Sequence, residues 1–142
     1  MTNLIVDASV VAKRLVREPD SDRAQVLFAN WTRGSLEIVA PSILPAEIAN
    51  MLWKRARRGL LSTAVAENLF HEFNVFHVPL WPLEDLVELA LSLAWRNGHS
   101  AYDGLYVALA IKTGWDLITA DERLYNMLSP SFQRIHLIRN YA

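Results

Sequence analysis

Four acidic residues stand where ordinary solvation does not explain them. Asp7 follows Leu4-Ile5-Val6, and Asp121 follows Leu117-Ile118-Thr119-Ala120, each at the end of a short apolar run. Glu47 comes three residues after Leu44 and four before Met51, which on a helix sets it close to the apolar stripe. Asp103 lies near the start of Ser100-Ala101-Tyr102-Asp103-Gly104-Leu105-Tyr106-Val107-Ala108-Leu109, the most hydrophobic helical run of the chain. An ionised carboxylate in such company is costly unless it is paired or bound to a metal. No Lys or Arg has helical spacing to Glu47 or Asp103. A shared divalent cation would relieve all four at once, and carboxylate oxygens suit Mg²⁺ or Mn²⁺ better than zinc. Such a site lowers the proton affinity of a bound water and offsets charge developing on a phosphate. Ser9 and Thr119, each two residues from a strand-end Asp, are placed to brace it with hydrogen bonds. Each acid alone has a plainer reading. Asp7 and Asp121 can cap the helices after them, and Asp103 falls in a first turn, where acids are favoured. Glu47 resists that explanation best.

The elements that must position these residues alternate along the chain. Short apolar runs at 4–6, 36–40, 75–78, 117–119 and 135–138 read as strands, the second and third closed by Pro41 and Pro79. Helical spacing covers 8–16 and a segment capped by Asp20 or Ser21 that runs through Trp31 to Gly34. Ser42 suits the N-cap of a helix ended by Gly59, and Ser62 opens another through Phe70. Pro82, Glu84 and Asp85 suit the first turn of a helix stopped at Gly98. A buried helix spans 100–112, ended by Gly114, and a short one spans 121–128. Strands separated by helices imply right-handed crossovers. The expected fold is a three-layer α/β/α sandwich with a mostly parallel sheet, one domain over residues 1–142. In such sheets ligands bind beyond the carboxyl ends of the strands, where Asp7 and Asp121 arrive.

Composition narrows the classes. The chain has 142 residues, 52% of them hydrophobic, enough for a sizeable core and too many for disorder. It has no cysteine, which excludes disulfides and thiolate zinc sites. The opening MTNLIVDASVV has no basic region and its apolar run is cut by Asp7, so no secretory signal is read, and the apolar stretches are too short to span a bilayer. A cytoplasmic location without membrane association is expected. The net charge is −1, but setting the four acids aside leaves a basic remainder. Between Glu47 and Glu67 no acid occurs, while Lys54, Arg55, Arg57 and Arg58 crowd together. An acidic pocket beside a basic rim suits a polyanionic substrate; bases also favour helix C-termini.

The pieces Val6-Asp7-Ala8-Ser9, Pro45-Ala46-Glu47-Ile48-Ala49-Asn50, Ala101-Tyr102-Asp103-Gly104-Leu105-Tyr106-Val107-Ala108-Leu109-Ala110 and Leu117-Ile118-Thr119-Ala120-Asp121-Glu122-Arg123-Leu124, in this order, resemble the PIN domain. More narrowly they resemble the VapC toxins of toxin–antitoxin pairs. The resemblance implies an endoribonuclease that uses Mg²⁺ or Mn²⁺, with Asp7, Glu47, Asp103 and Asp121 as its acidic quartet and Thr119 as its hydroxyl residue. It further implies a homodimer restrained by a small antitoxin that reaches the active site. Arg55, Arg57 and Arg58, with Lys13 and Arg14 after them, would bind the RNA backbone. Gly104 departs from the pattern where alanine or another good helix former is expected, and would loosen the helix start.

Two other enzyme or binding readings share these residues: a metal-dependent phosphohydrolase acting on a small phosphorylated substrate, and a non-catalytic module binding RNA or a partner. A phospho-acceptor switch is disfavoured, because Glu47 and Asp103 come from helices and no Lys follows a later strand to sense phosphate. Trp53 and Trp95 lie in apolar helical patterns and read as core or dimer residues rather than base-stacking platforms. His71, His77 and His136 read as packing or surface residues. His99, just before the Asp103 helix, is a candidate for touching substrate. The apolar residues around 51–53 and 60–70 are candidates for an antitoxin groove or a dimer contact, as well as for ordinary core.

Overall fold

The computed structural model describes residues 1–141. Five strands, β1 (Thr2–Val6), β2 (Leu36–Pro41), β3 (Leu80–Trp81), β4 (Asp116–Thr119) and β5 (Ile135–Leu137), form one sheet in the order β3-β2-β1-β4-β5. Every pair is parallel. The helices are α1 (Ala8–Leu15), α2 (Ser21–Thr32), α3 (Leu44–Arg57), α4 (Thr63–Phe76), α5 (Val87–Asn97), α6 (Ala101–Thr113) and α7 (Glu122–Leu128). The expected three-layer α/β fold is the one observed.

Leu4, Ile5 and Val6 in the central strand are each no more than 1% exposed. A parallel strand covered on both faces is apolar throughout rather than alternating, which is why these residues read as a continuous run. From β1 the chain builds β2 and β3 on one side, then crosses back to lay β4 and β5 on the other. The gap between β1 and β4 is therefore the topological switch point. Its register pairs Val6 with Ile118, and Asp7 N–H donates to the Ile118 carbonyl at 3.3 Å. Asp7 thus leaves the sheet beside Thr119.

α6 lies against β1, β2 and β4 and packs along α5. Its residues Gly104 through Ala110 are all buried, and Leu105 through Ala110 join β1, β2 and β4 in a single hydrophobic core. Gly104 is a structural requirement rather than a looseness in the helix. A Cβ placed there would lie 2.5 Å from the Ala90 carbonyl oxygen, so only glycine lets α5 and α6 approach this closely.

Three other local expectations are corrected. Residues 75 and 76 finish α4 instead of starting a strand. Phe73 is buried and Phe76 packs on Phe28 with ring centroids 5.8 Å apart, and this helical packing outweighs the β-branched character of Val75 and Val78. The chain then turns through His77 at φ 52, and the edge strand forms after Pro79, where β2 leaves it a partner. Ser42 caps nothing: its N–H donates to the Trp81 carbonyl at 2.9 Å, prolonging the sheet contact, and α3 starts at Leu44 with a proline in its first turn. Of the core and dimer roles read for Trp53 and Trp95, exposures of 55% and 81% set aside the core one. No helix among the described residues is long and apolar enough to cross a membrane.

Candidate active site

Asp7 caps α1, accepting from Val10 N–H at 3.2 Å. The same oxygen, Oδ1, accepts from Ser9 Oγ at 2.5 Å, and Oδ2 accepts from Thr119 Oγ1 at 2.5 Å. Both hydroxyls are oriented from behind, Ser9 Oγ accepting from Ala120 N–H at 2.8 Å and Thr119 Oγ1 from Asp121 N–H at 3.0 Å. Each hydroxyl proton is spent on Asp7, so the 3.3 Å approach of Ser9 Oγ to Thr119 Oγ1 is a contact without a proton of its own. Ser9 and Thr119 therefore clamp one carboxylate, that of Asp7; Thr119, singled out by its spacing to Asp121, reaches across to it and stitches β1 to β4.

Asp121 caps α7, its Oδ1 accepting from Leu124 N–H at 3.1 Å. Capping and site placement are not alternatives for Asp7 and Asp121, because a carboxylate at the end of a strand and the start of a helix does both. Asp103 sits in the first turn of α6, whose cap is Ser100, accepting from Asp103 N–H at 3.1 Å. The Asp103 carboxylate lies near enough to Asp121 and Glu47 for their charges to act on one another. Glu47 in α3 accepts from the Tyr106 hydroxyl at 2.6 Å.

Charge couples the four acids into a chain. Burial pushes the Asp7 carboxyl up to about 6; the hydroxyls of Ser9 and Thr119 and the Val10 N–H pull it back, and the charge of Asp121 adds to the rise. Glu47 is raised by burial and by Asp103, against the Tyr106 hydrogen bond. Asp103 is raised by burial and by Asp121, while His99, Ser100 and Arg123 lower it. The Tyr106 hydroxyl is held well above its ordinary range by burial and by Glu47, with Asp7 contributing, so it keeps its proton and donates it to Glu47. Carboxyls raised chiefly by burial and further by one another's charge are the expected state of a buried acidic cluster.

The donor set is oxygen only. Among the described residues, no three of His, Cys, Asp and Glu stand close enough to grip one ion directly; the carboxylates neighbour one another in sequence Asp7, Asp121, Asp103, Glu47. A cation such as Mg²⁺ retains several waters and needs only one or two carboxylates in direct contact. The residues present fit a hard, hydrated divalent ion: they offer no thiolate, and His99, the imidazole near Asp103, completes no cluster among the described residues able to grip one ion.

Two residues at the site were given no role from sequence. Tyr106 lies one turn after Asp103 on the same helix face, a spacing that could have flagged it. Arg123, two residues after Asp121, brings Nη2 to 4.0 Å from Asp103 Oδ2. His99 is buried, with Nδ1 2.8 Å from the Ser100 carbonyl, which can only accept, so Nδ1 carries a proton. The basic cluster lies elsewhere. Arg55 is paired with Glu18 at 2.8 Å, Lys13 with Glu18 at 3.5 Å and Arg14 with Glu72 at 3.4 Å. Arg57 stacks over Trp53 at 5.3 Å, and Arg58 is exposed at the end of α3.

Fold and site together define an α/β protein with an acidic centre at the switch point of a parallel sheet. Residues 4–127 match the PIN domain, and the chain belongs to that family. It is similar to Ribonuclease VapC3 of Pyrobaculum aerophilum, 37% identical over 123 residues that span 85% of this chain and 91% of that protein. In fold it resembles the crystal structure of PAE2754 from Pyrobaculum aerophilum, with a TM-score of 0.69 and 24% identity over 97% of this chain and 92% of that one. It also resembles VapBC2 from Rickettsia felis, bound to a DNA fragment from their promoter, with a TM-score of 0.61 and 14% identity over 96% and 97% of the two chains.

Proposed function

We propose that this chain is an endoribonuclease that hydrolyses RNA phosphodiester bonds with Mg²⁺, or Mn²⁺ in its place, held by Asp7, Glu47, Asp103 and Asp121. The observation that carries the reading is the charge-coupled chain of four carboxylates at the switch point, each with its proton affinity raised or itself raising a neighbour's. The identity to a protein named a ribonuclease supports the choice of RNA. When bound, the cation supplies charge that favours ionised carboxylates, activates water and offsets the charge developing on the phosphate.

The protein's own groups do the positioning. Ser9, Thr119 and Val10 N–H fix both oxygens of Asp7, so its carboxylate cannot swing to follow a substrate. Tyr106 pins one oxygen of Glu47 and leaves the other for the cleft. Ser100 accepts from the Asp103 N–H and so fixes the first turn of α6 on which that acid sits. Arg57 and Arg58, exposed at the far end of α3, serve as outlying contacts to the RNA backbone; Arg55 is already engaged by Glu18 and contributes less.

The chain is further read as the toxin of a VapBC-type pair, a cytoplasmic homodimer restrained by a small antitoxin. The fold shared with VapBC2 supports this. So do two uncovered apolar faces, one around Trp53, Leu60 and Val65 and one around Val87, Leu91 and Trp95.

RNA cleavage by the purified protein with Mg²⁺, Mn²⁺ or EDTA tests the reading, with Asp103→Asn as the control. Cleavage is expected with either cation and not with EDTA, and the variant is expected to be inactive while keeping the parent's circular dichroism. A folded Asp103→Asn protein that cuts at the parent's rate sinks the assignment.

A further inference from the structure

An acidic centre that acts on a polyanion needs a cation to meet the substrate, and the basic cluster on α3 does not supply it at the site. From Glu47 to Arg57 is ten residues of helix, about 15 Å along its axis. Lys13, Arg14 and Arg55 are held by Glu18 and Glu72, and Arg139 is held between Asp20 and Glu122. Among the described residues, Arg123 alone of the Lys and Arg side chains lies within 4.0 Å of one of the four acids.

We propose that Arg123 binds the RNA phosphate next to the scissile bond and so sets the substrate against the four carboxylates. This rests on the ribonuclease reading. Three observations favour a substrate role over a structural one. Arg123 is the second residue of α7, in a first turn where the helix dipole disfavours a cation. Its side chain is 69% exposed, and its one ionic contact, to Asp103, is at the 4.0 Å limit; an exposed pair of that length contributes little to stability. Its backbone is nevertheless fixed relative to the site, because α7 is capped by Asp121 itself. A guanidinium fork matches two phosphate oxygens, so exchanging the loose contact with Asp103 for a phosphate strengthens its interactions.

The test has two arms. In cleavage assays with Mg²⁺, Arg123→Ala is expected to raise KM at least tenfold with kcat within threefold of the parent, and Arg123→Lys to recover part of the loss. In the Asp7→Asn background, where cleavage is blocked, adding Arg123→Ala is expected to weaken single-stranded RNA binding at least tenfold. It should also reduce the slope of log K against log salt by about 0.7, one phosphate contact on a single strand. Lys112→Ala, the same charge change in the last turn of α6, should alter neither. If Arg123→Ala fails to fold, Arg123→Lys carries both arms, with a raised KM expected because the fork is lost. A parent that cleaves RNA while its Arg123 variants match it in KM and binding overturns this proposal alone. A parent that cuts no RNA under any condition overturns the ribonuclease reading and this proposal with it.

Discussion

Asp7→Asn should stabilise the metal-free protein at neutral pH, although it removes a carboxylate that accepts three hydrogen bonds. The buried carboxyl is raised from 3.8 to about 6, which corresponds to about 3 kcal/mol. The folded state therefore binds this proton more tightly than the unfolded chain does. Where the folded pKa is the higher, the stabilisation is full below about pH 4 and is lost as pH rises through about 6. This is opposite to the usual behaviour of a salt-bridged aspartate, and Glu47 and Asp103, also raised, act in the same sense. An asparagine carries no charge at any pH, but its amide cannot accept from both hydroxyls. Either Ser9 or Thr119 must turn, costing about 1 kcal/mol and leaving a net gain of about 2 kcal/mol at pH 7.5. Urea unfolding in EDTA from pH 4.5 to 8, at fixed protein concentration, reads this directly. Parent stability should fall across pH 4.5–7, and the Asp7→Asn curve should be flatter and lie above it at pH 7.5. Adding Mg²⁺ at pH 7.5 should stabilise the parent more than the variant, because bound ligand adds stability only to the state that holds it. A parent whose metal-free stability rises over that range, or an Asp7→Asn protein less stable than the parent at pH 7.5, would refute the view that the cluster is strained by uncompensated charge.

Three further outcomes follow from particular contacts. Gly104→Ala should destabilise by about 1–3 kcal/mol in chemical denaturation despite the better helix propensity of alanine, because the added Cβ meets the Ala90 carbonyl. Tyr106→Phe should leave the fold intact and lower metal-dependent cleavage about 10–100-fold, the usual effect of removing a group that orients a metal ligand; cation titration of cleavage checks it. Thr119→Val keeps the shape but strips Asp7 Oδ2 and Asp121 N–H of their partner, so it should cost about 1–3 kcal/mol in thermal or urea unfolding.

The four acids were legible in the sequence because each breaks a local pattern. Asp7 and Asp121 interrupt strand-length apolar runs, Glu47 sits beside a helical stripe, and Asp103 opens a helix that is otherwise apolar. Ser9 was legible because a separation of two residues across a strand end already brings its hydroxyl to the Asp7 carboxylate; Thr119 was flagged by its spacing to Asp121, but its hydroxyl meets Asp7, a partner only the β1–β4 pairing supplies. The alternation of elements announced a parallel sheet, because only strands covered on both faces can be uniformly apolar. Local pattern misled at residues 75–78, where β-branched side chains read as a strand while Phe73 and Phe76 packed as helix; at Trp53 and Trp95 helical spacing does not distinguish core from an interface, and the exposure of both removes only the core reading.

What the sequence determined by itself, then, is which side chains are out of place for a soluble core, and in which kind of element each one sits. Tertiary structure alone decided who stands next to whom: Tyr106 on Glu47, Arg123 beside Asp103, and Gly104 under Ala90. The distinction is physical. Propensity, capping and periodicity act over one or two turns of chain, whereas these pairings join different elements: Gly104 meets Ala90 when α6 folds back on α5, and Tyr106 reaches Glu47 only after the sheet order β3-β2-β1-β4-β5 brings distant segments together.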